Sequence, residues 1–336
     1  MSTDQSQLTV LTSPSTGLPL KGGDQNTLHA RVRSVTWEAQ DVLSLDLVAV
    51  NGSELPPFEP GAHIDLHFPD GTIRQYSLWG DPSDHSRYRV GIRAVEGGHS
   101  SLFVHRKLRP GDVLTVSTPR NNFPLVEAGR YIFIAGGIGI TPLIPMMRTA
   151  SEKGRSWTLL YCNRRNEDAP FLSEIESLGG EVSLHSSDAG TRLDVAQRLG
   201  PVQDDTVVYC CGPERLMTAV EQATAAWPQG SVRFEWFAPR SRPADETSGS
   251  FEVACENSGI TLTVPPEKSV LEVLNEAGIP VPCSCQQGIC GTCEVRVLSG
   301  EVDHRDSILS VAERETNQTM MTCVSRARGA RLVLEI

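Results

Sequence analysis

The sequence predicts a multidomain protein: a small antiparallel β-barrel, then a doubly wound α/β domain, then a compact α+β domain. Three observations predict this order. Short strands separated by turn residues fill the first part, strands alternate with helices after about residue 130, and a cysteine-rich unit follows a polar linker. A chain of 336 residues has room for two or three domains of roughly 100–200 residues each.

Shifts in composition give the boundaries. We expect a flexible tail rich in Ser, Thr, Gln and Gly at 1–24, the barrel at 25–125 and the α/β domain at 126–238. The polar, turn-rich stretch PRSRPADETSGS at 239–250 is expected to be a linker, and 251–336 forms the third unit.

Composition restricts the class of protein. A net charge of −11 argues against a nucleic-acid partner. The start of the chain lacks the apolar core of a signal peptide, and the longest apolar stretch, 131–147, is interrupted by three glycines and two prolines. We therefore expect no membrane span. Nine cysteines, four of them in the motif described below, fit a reducing cytoplasm.

Six short runs in the first domain predict the barrel strands, because turn signals such as Pro60-Gly61 and Pro110-Gly111 separate them. The runs are 28–35, 42–48, 63–68, 73–78, 88–93 and 113–116.

The α/β domain begins with a buried-strand run at 131–135, followed by a glycine turn and a helix for which Thr141 is a candidate N-cap and Pro142 the first residue. Further strands are predicted at 157–162, 181–185, 206–211 and 232–237, with helices near 171–178 and from Glu214. In the third unit we predict strands at 251–255, 260–264, 294–298 and 331–336, and a helix at 269–277.

Four cysteines dominate the third unit. Cys285, Cys290 and Cys293 have the spacing C-x4-C-x2-C, and Cys323 follows after 29 intervening residues, which is the plant-type [2Fe-2S] spacing. Zinc and a disulfide framework are the alternatives, but zinc sites favour paired C-x2-C ligands and disulfides need an oxidising compartment. Cys283 is interpreted as a neighbour of the ligands and not as a ligand.

Two glycine turns mark a nucleotide site. Gly136-Gly137-Ile-Gly139 leaves the first strand of the α/β domain, and Cys211-Gly212-Pro213 leaves a later one. Ligands of such sheets lie at the carboxyl ends of the strands, where glycine lets a pyrophosphate approach the backbone. A single turn would be equally compatible with a structural role, but two of them favour a dinucleotide.

Two barrel segments could serve a phosphate-bearing ligand. Arg74-Gln-Tyr76-Ser77-Leu78 presents a guanidinium, a ring and a hydroxyl along one strand, and Gly97-Gly98-His99-Ser100-Ser101 is a glycine turn before a short helix. Alone, the first segment would be interpreted as an ordinary barrel strand with a surface arginine.

Together and in this order, R-x-Y-S-L, G-G-I-G-I-T-P, C-G-P and the cysteine motif resemble one family. Residues 25–336, including Pro119-Arg-Asn-Asn-Phe-Pro-Leu125, are similar to reductases of the phthalate dioxygenase reductase type, which are related to vanillate demethylase reductases. These proteins are electron-transfer partners of Rieske oxygenases. The resemblance implies a plant-type ferredoxin (β-grasp) fold for the third unit.

The resemblance implies FMN in the barrel. Its phosphate would be held by Arg74 and by Ser100 or Ser101, because this chain has His99-Ser100-Ser101 where family members often have Gly-Gly-Ser. FAD stays open. The remaining implied flavin residues are Tyr76 at the flavin or ribityl chain, Ser77 near the ring N5, Leu78 in the same motif and Gly98 in the phosphate turn.

The resemblance also implies NADH, with NADPH left open by the arginines near the expected adenosine ribose. Phe237 either shields the flavin or packs in a core, and we expect Ser77, Cys211 and Phe237 to be the residues nearest the chemistry. The implied NADH residues are Gly136, Gly137, Gly139 and Thr141 at the pyrophosphate, Cys211, Gly212 and Pro213 at the nicotinamide, and Asn163, Arg164 and Arg165 at the ribose.

The expected function is NADH-dependent electron transfer through FMN to a [2Fe-2S] cluster and on to a Rieske-type oxygenase, by a monomer. The exit surface is expected at Gln286, Gln287 and Ile289 on the cluster loop. The alternatives are a stand-alone flavin or ferric reductase and a non-catalytic redox sensor that uses the cluster or Cys283.

Overall fold

The computed structural model describes residues 27–240 and 249–336. The predicted tail at 1–24 and most of the predicted linker at 239–250 lie outside the described residues. The domain limits given above therefore stay predictions, while the strands and helices between them can be compared directly.

The first domain is the predicted antiparallel barrel. Its six-stranded sheet has the order β4-β3-β6-β1-β2-β5, and a bridge between Leu78 and Val90 joins the two outer strands. Apolar side chains on alternate positions, such as Ala30 and Val32, fill its interior. The elements are β1 (Thr27–Ala39), β2 (Val42–Ala49), β3 (His63–His67), β4 (Ile73–Ser77), β5 (Tyr88–Arg93), α1 (His99–Arg106) and β6 (Val113–Ser117).

The second domain is a five-stranded parallel sheet in the order β11-β10-β7-β8-β9. The chain enters at the central strand β7, runs outward to β9, and then returns to β10 on the other side of β7. Separate apolar cores cover the two faces, as a doubly wound fold requires. The elements are β7 (Arg130–Gly136), α2 (Leu143–Glu152), β8 (Ser156–Asn163), α3 (Leu172–Glu176), β9 (Glu181–Ser186), α4 (Val195–Leu199), β10 (Thr206–Cys211), α5 (Glu214–Ala223) and β11 (Val232–Glu235).

The predicted start of helix α2 is wrong. A 3₁₀ turn, Gly137–Ile140, intervenes, so α2 begins at Leu143 and Pro142 occupies the N-cap position. The Thr141 hydroxyl donates backward to the carbonyl of Ile138 at 3.0 Å and does not cap the helix ahead of it.

The third domain has the predicted mixed sheet, in the order β13-β12-β18-β14-β16, with a separate pair β15-β17. Helix α6 packs on it and begins with a capping box between Ser269 and Glu272. The elements are β12 (Phe251–Cys255), β13 (Ile260–Val264), α6 (Val270–Glu276), β14 (Glu294–Ser299), β15 (Val302–Asp303), α7 (Val311–Thr316), β16 (Thr319–Met321), β17 (Arg326–Ala327) and β18 (Arg331–Leu334).

The barrel and the α/β domain share a core. Trp79 of the barrel lies 4.5 Å from Phe171 between ring centroids, and both are buried in the cluster that covers one face of the parallel sheet. A Cβ added to Gly91 of β5 would lie only 2.9 Å from the Thr141 side chain. Glycine is therefore required at 91 for the two domains to approach this closely.

Candidate active site

All three domains converge on one cleft with a volume of about 760 Å³. The barrel contributes strand β4, strand β5 and the turn before α1. The α/β domain contributes the two glycine turns and the segment after β11, and the third domain contributes the cysteine loop. Residues that the sequence distributed over more than 200 positions therefore line one cavity, among them Arg74, Tyr76, Ser77, Gly98, Ser100, Ser101, Gly136, Gly139, Gly212, Pro213, Glu235, Phe237 and Cys285.

Strand β4 lines the cleft through the predicted motif. Arg74 is exposed at its mouth, where Nη1 donates to the carbonyl of Ile73 at 2.8 Å. Tyr76 is half-buried, and desolvation raises the pKa of its phenol to about 12. Ser77 is buried at the end of the strand. The side chain of Leu78 instead packs in the barrel core, so the structure does not place this predicted residue in the cleft.

The turn before α1 distinguishes the two serines. Ser101 Oγ donates to the carbonyl of Gly98 at 3.2 Å and accepts from the Val95 N–H at 3.1 Å, so the turn itself uses this hydroxyl in both roles. Ser100 Oγ lies 2.9 Å from Thr72 Oγ1, and because Thr72 donates its own hydrogen to Asp70, Ser100 is the donor in this contact. Ser100 lines the cleft, and its hydrogen could turn from Thr72 to a ligand without breaking a hydrogen bond inside the turn. Gly98 has the β-region conformation of an N-cap.

The two glycine turns interlock at the switch point of the parallel sheet. Strands β7 and β10 pair in register, so their carboxyl ends meet. A Cβ on Gly212 would lie 2.9 Å from the Gly136 nitrogen, and one on Gly139 would lie 2.4 Å from the Cys211 carbonyl oxygen. Close backbone packing requires glycine at these positions, and it leaves the turns open toward the cleft.

Cys211 and Thr141 are the two predicted nucleotide residues whose side chains do not line a cavity. The Cys211 thiol is fully buried, and desolvation raises its pKa well above the ordinary value. Thr141 is 2% exposed and packs against Gly91 of the barrel. Both residues shape the turns through their backbone and packing.

Glu235 is the site residue that sequence reasoning missed. It ends strand β11 and lines the cleft, and its Oε2 accepts from Ser77 Oγ at 3.4 Å. Part of Glu235 faces the cavity, but protein encloses its carboxyl, and this desolvation raises its pKa to about 8. The group is therefore largely protonated at neutral pH. The two residues are 158 positions apart, so no local motif could reveal the pair.

Phe237 lines the cleft, and its shielding role stays a prediction. It follows β11, lines the cleft and is 40% exposed, so core packing does not explain it. The neighbouring Trp236 is buried, with the guanidinium of Arg240 over its ring at 4.2 Å.

A second cavity of about 820 Å³ adjoins the glycine turns and extends over the carboxyl ends of β8 and β9. Asn163, Arg164 and Arg165 line it, as predicted. Arg165 makes a bidentate pair with Asp168 at 2.8 and 2.9 Å, and Arg164 lies 3.4 Å from Asp188. Gly136 and Gly137 line the same cavity as Arg164 and Arg165, the two arginines predicted to lie near the adenosine ribose.

The four cysteines of the motif come together as two pairs. Hydrogen bonding couples Cys285 with Cys290 and Cys293 with Cys323, and it lowers the pKa of Cys290 and of Cys293 while it raises that of each partner. Among the residues described, no three His, Cys, Asp or Glu side chains converge as they would on a single metal ion. Two thiol pairs match a two-iron cluster, in which each iron takes two thiolates.

The backbone of the cysteine loop supports the same cluster. The Gln287 N–H donates to Cys285 Sγ at 3.3 Å, and the Thr292 N–H donates to Cys290 Sγ at 3.4 Å. Gly288 has φ +68° and a Cβ there would lie 2.6 Å from Val324, so the loop can bend inward only with glycine. Cys283 packs against the domain core.

Buried polar atoms without a hydrogen-bond partner show what the cleft can hold. Three of them belong to residues that line it: His63 Nε2, Gln75 Nε2 and Trp236 Nε1. Desolvation lowers the pKa of His63 to about 4, so it is neutral at pH 7. A planar ring with several polar edge atoms, such as a flavin, would satisfy these groups. The residues present therefore fit FMN.

The predicted exit surface stays a prediction. Gln287 is exposed, and both Gln287 and Ile289 also line the cleft beside Cys285. Gln286 is exposed, with φ +54°.

Two family models match the chain: an oxidoreductase NAD-binding domain over residues 133–222 and a 2Fe-2S iron-sulfur cluster binding domain over residues 253–328. The chain is 41% identical to a vanillate O-demethylase oxidoreductase of Pseudomonas sp. (strain HR199 / DSM 7063), covering 89% of this chain and 96% of the relative.

Two solved structures extend this comparison. Phthalate dioxygenase reductase, described as a modular structure for electron transfer from pyridine nucleotides to [2Fe-2S], matches with 37% identity and a TM-score of 0.68 over 93% of this chain and 99% of its own. An intact type IV self-sufficient cytochrome P450 monooxygenase matches with 38% identity and a TM-score of 0.88, over 96% of this chain and 43% of its own.

Three features open on one cavity: the barrel with its flavin cleft, the nucleotide domain and the four-cysteine loop. Together they define an NADH-dependent flavin and iron–sulfur oxidoreductase. The chain belongs to the phthalate dioxygenase reductase and vanillate demethylase reductase family. Its cofactors are FMN and a [2Fe-2S] cluster, and it transfers electrons from NADH through the flavin to the cluster as the reductase component of an oxygenase system. The fold prediction and the family resemblance are confirmed.

Proposed function

We propose that the electron acceptor of this reductase is a Rieske-type oxygenase. One observation supports this proposal most strongly: the flavin cleft, the glycine turns and the cysteine loop converge on one cavity. The site that would bind NADH, the hydride donor, therefore lies beside the cluster site that would release single electrons. FMN exchanges two electrons with NADH and single electrons with the cluster, and the protein supplies binding and orientation.

Arg74 and Ser100 would hold the FMN phosphate, with Tyr76 against the flavin. Ser100 is the better of the two serines, since the turn already uses both hydrogen-bonding roles of Ser101. Ser77 and Glu235 would face the reacting edge of the ring, where Ser77 Oγ donates to Oε2 of the protonated carboxyl. Phe237 would shield the ring from water.

The interlocked glycines would cradle the NADH pyrophosphate, and the cavity over β8 and β9 would hold the adenosine. NADH is favoured over NADPH because the ribose-side arginines are already paired with carboxylates: Arg165 with Asp168 and Arg164 with Asp188. A 2′-phosphate would have to displace those carboxylates.

The location of the protein is proposed from its thiols. Within the described residues no disulfide joins any of the nine cysteines, as in a reducing cytoplasm. In the two described stretches of the chain, every helix is too short or too polar to cross a membrane.

We also propose that the protein is a monomer.

The acceptor can be tested by anaerobic mixing of NADH and this reductase with a purified Rieske oxygenase in one assay and a haem monooxygenase in another. The proposal expects NADH-dependent bleaching of the Rieske cluster, and Cys290→Ser should abolish it. The haem protein is the second candidate, because the P450 monooxygenase that matches this chain joins a similar unit to the rest of a longer chain. Reduction of haem without reduction of the Rieske cluster would contradict the proposal.

A further inference from the structure

Two side-chain hydrogen bonds cross from the barrel to the cysteine loop. Ser284 Oγ donates to Asp65 Oδ2 at 2.8 Å, and Asn122 Nδ2 donates to the carbonyl oxygen of Cys290 at 2.8 Å. Ser284 directly precedes Cys285 in the chain. Both bonds therefore end at, or next to, the thiol pair that lies nearest the flavin cleft.

Asp65 is held firmly on the barrel side. It lies in β3, is 4% exposed, and its Oδ1 accepts from Arg120 Nη2 at 2.7 Å. Its own N–H donates to Ser117 Oγ at 2.9 Å. With Oδ1 occupied by the guanidinium, Oδ2 points to Ser284 as a fixed, charged acceptor, and such bonds are stronger than neutral ones.

Asn122 is fixed by the residues around it. Arg120 and His63 exchange two backbone hydrogen bonds, at 2.9 and 3.0 Å. Asn121 Nδ2 donates to the Pro60 carbonyl at 3.0 Å, and its Oδ1 accepts from the N–H of the residue after Asn122, also at 3.0 Å. The loop thus presents the Asn122 amide in one place.

Gly291 allows the contact on the other side. A Cβ there would lie 3.3 Å from Asn122 Nδ2, and its φ of +72° also favours glycine. The cysteine loop and the barrel loop therefore approach each other more closely than a residue with a side chain would allow.

We propose that Asp65 and Asn122 are positioning residues that hold the Cys285–Cys290 side of the cluster loop against the flavin cleft and thereby set the rate of electron transfer from flavin to cluster. The transfer rate between two redox centres falls steeply as their separation grows. These two bonds act on that separation. Asn122 also lines the cleft, so Ser284 is the residue that tests the separation without altering the cleft lining. The inference rests on the flavin and cluster functions assigned above.

The test compares Ser284→Ala, Asn122→Ala and the double variant by anaerobic stopped-flow mixing with NADH. Ser284→Ala removes one interdomain bond and leaves the Asp65–Arg120 pair intact. Flavin bleaching should keep its rate in Ser284→Ala, whereas cluster reduction should slow about tenfold in the double variant. Ser258→Ala, on an exposed turn of the same domain, is the matched control.

Cluster content and the midpoint potential of the cluster should be unchanged in each variant, which separates positioning from a loss of cluster. If Asn122→Ala loses iron, Asn122→Leu keeps about the size of the side chain and removes the amide donor without adding a charge. Cluster reduction within about twofold of the unmodified rate in a fully loaded double variant would overturn the inference. Absence of flavin bleaching in the unmodified protein would contradict the assigned function instead.

Discussion

Ser77 and Glu235 meet across the boundary between the barrel and the α/β domain, with 3.4 Å between Ser77 Oγ and Glu235 Oε2. The serine ends strand β4, and the glutamate ends strand β11. The contact places a neutral carboxyl in the cleft that the flavin motif and the glycine turns also line. It connects the barrel side of the cleft to the α/β side.

Glu235 predicts a pH dependence of stability. Its carboxyl has a folded-state pKa of about 8 against an ordinary value of 4.5, so the folded state retains a proton that the unfolded state loses between these values. The bound proton therefore contributes to the free energy of unfolding. This contribution is fully present below pH 4.5 and is lost as pH rises through about 8. Glu235→Gln should therefore unfold like the unmodified protein at pH 4.5 and be more stable at pH 9, by a few kcal/mol.

Denaturant unfolding of the apoprotein across this pH range measures the difference. Glu252→Gln, at an exposed position of β12, is the control and should not change the pH profile. Equal stability of Glu235→Gln and the unmodified protein at both ends of the range would contradict a buried, protonated Glu235.

The two serines of the α1 turn should differ in their effects. Ser100→Ala removes a hydroxyl that lines the cleft and bonds only to the side chain of Thr72, so FMN should bind about tenfold more weakly while the apoprotein loses less stability than in Ser101→Ala. Ser101→Ala removes both hydrogen bonds within the turn, so the apoprotein itself should lose roughly 1–2 kcal/mol of stability. Fluorescence titration with FMN and denaturant melts distinguish them, and the reverse pattern would assign the phosphate to Ser101.

Gly139 should tolerate no side chain. In Gly139→Ala the new Cβ would lie 2.4 Å from the Cys211 carbonyl oxygen, which forces the two nucleotide turns apart. We expect a loss of roughly 1–3 kcal/mol in stability and weaker NADH binding, seen as a higher KM in a ferricyanide assay. Gly329→Ala, where a Cβ has open space, should be near neutral. An unchanged KM in Gly139→Ala would exclude a nucleotide role for the turn.

Asp168 should control the choice of nucleotide. Asp168→Ala would free the Arg165 guanidinium from its bidentate pair, and the freed group could accept a 2′-phosphate. The ratio of kcat/KM for NADPH to that for NADH should rise about tenfold. Glu167→Ala is the control, because Glu167 lies 3.6 Å from the same arginine without a hydrogen bond. An unchanged ratio would mean that Arg165 lies away from the ribose.

The sequence predicted the elements well where local chemistry decides them. Alternating apolar residues set the barrel strands, and the cysteine spacing set the cluster loop. The start of α2 was mispredicted because Thr141 and Pro142 match a cap pattern, whereas packing against Gly91 favours a 3₁₀ turn first. A local sequence pattern contains no information about the domain that packs against it.

The same limit explains the residues that sequence reasoning missed or misplaced. Glu235 and Ser77 belong to different domains, and so do Asn122 and Cys290. Gln287 and Ile289 are loop residues of the third domain that also line the cleft. Each of these placements depends on how the three domains pack against one another, which no single segment encodes.

The most direct test of the whole account is anaerobic titration of the purified protein with NADH, followed by absorbance and electron paramagnetic resonance, beside Cys290→Ser. The account predicts bleaching of the flavin band in both proteins, FMN in the extract, and a reduced [2Fe-2S] signal in the unmodified protein alone. Flavin bleaching with no cluster signal in the unmodified protein would show that Cys285, Cys290, Cys293 and Cys323 hold something else, and would contradict the electron path from flavin to cluster.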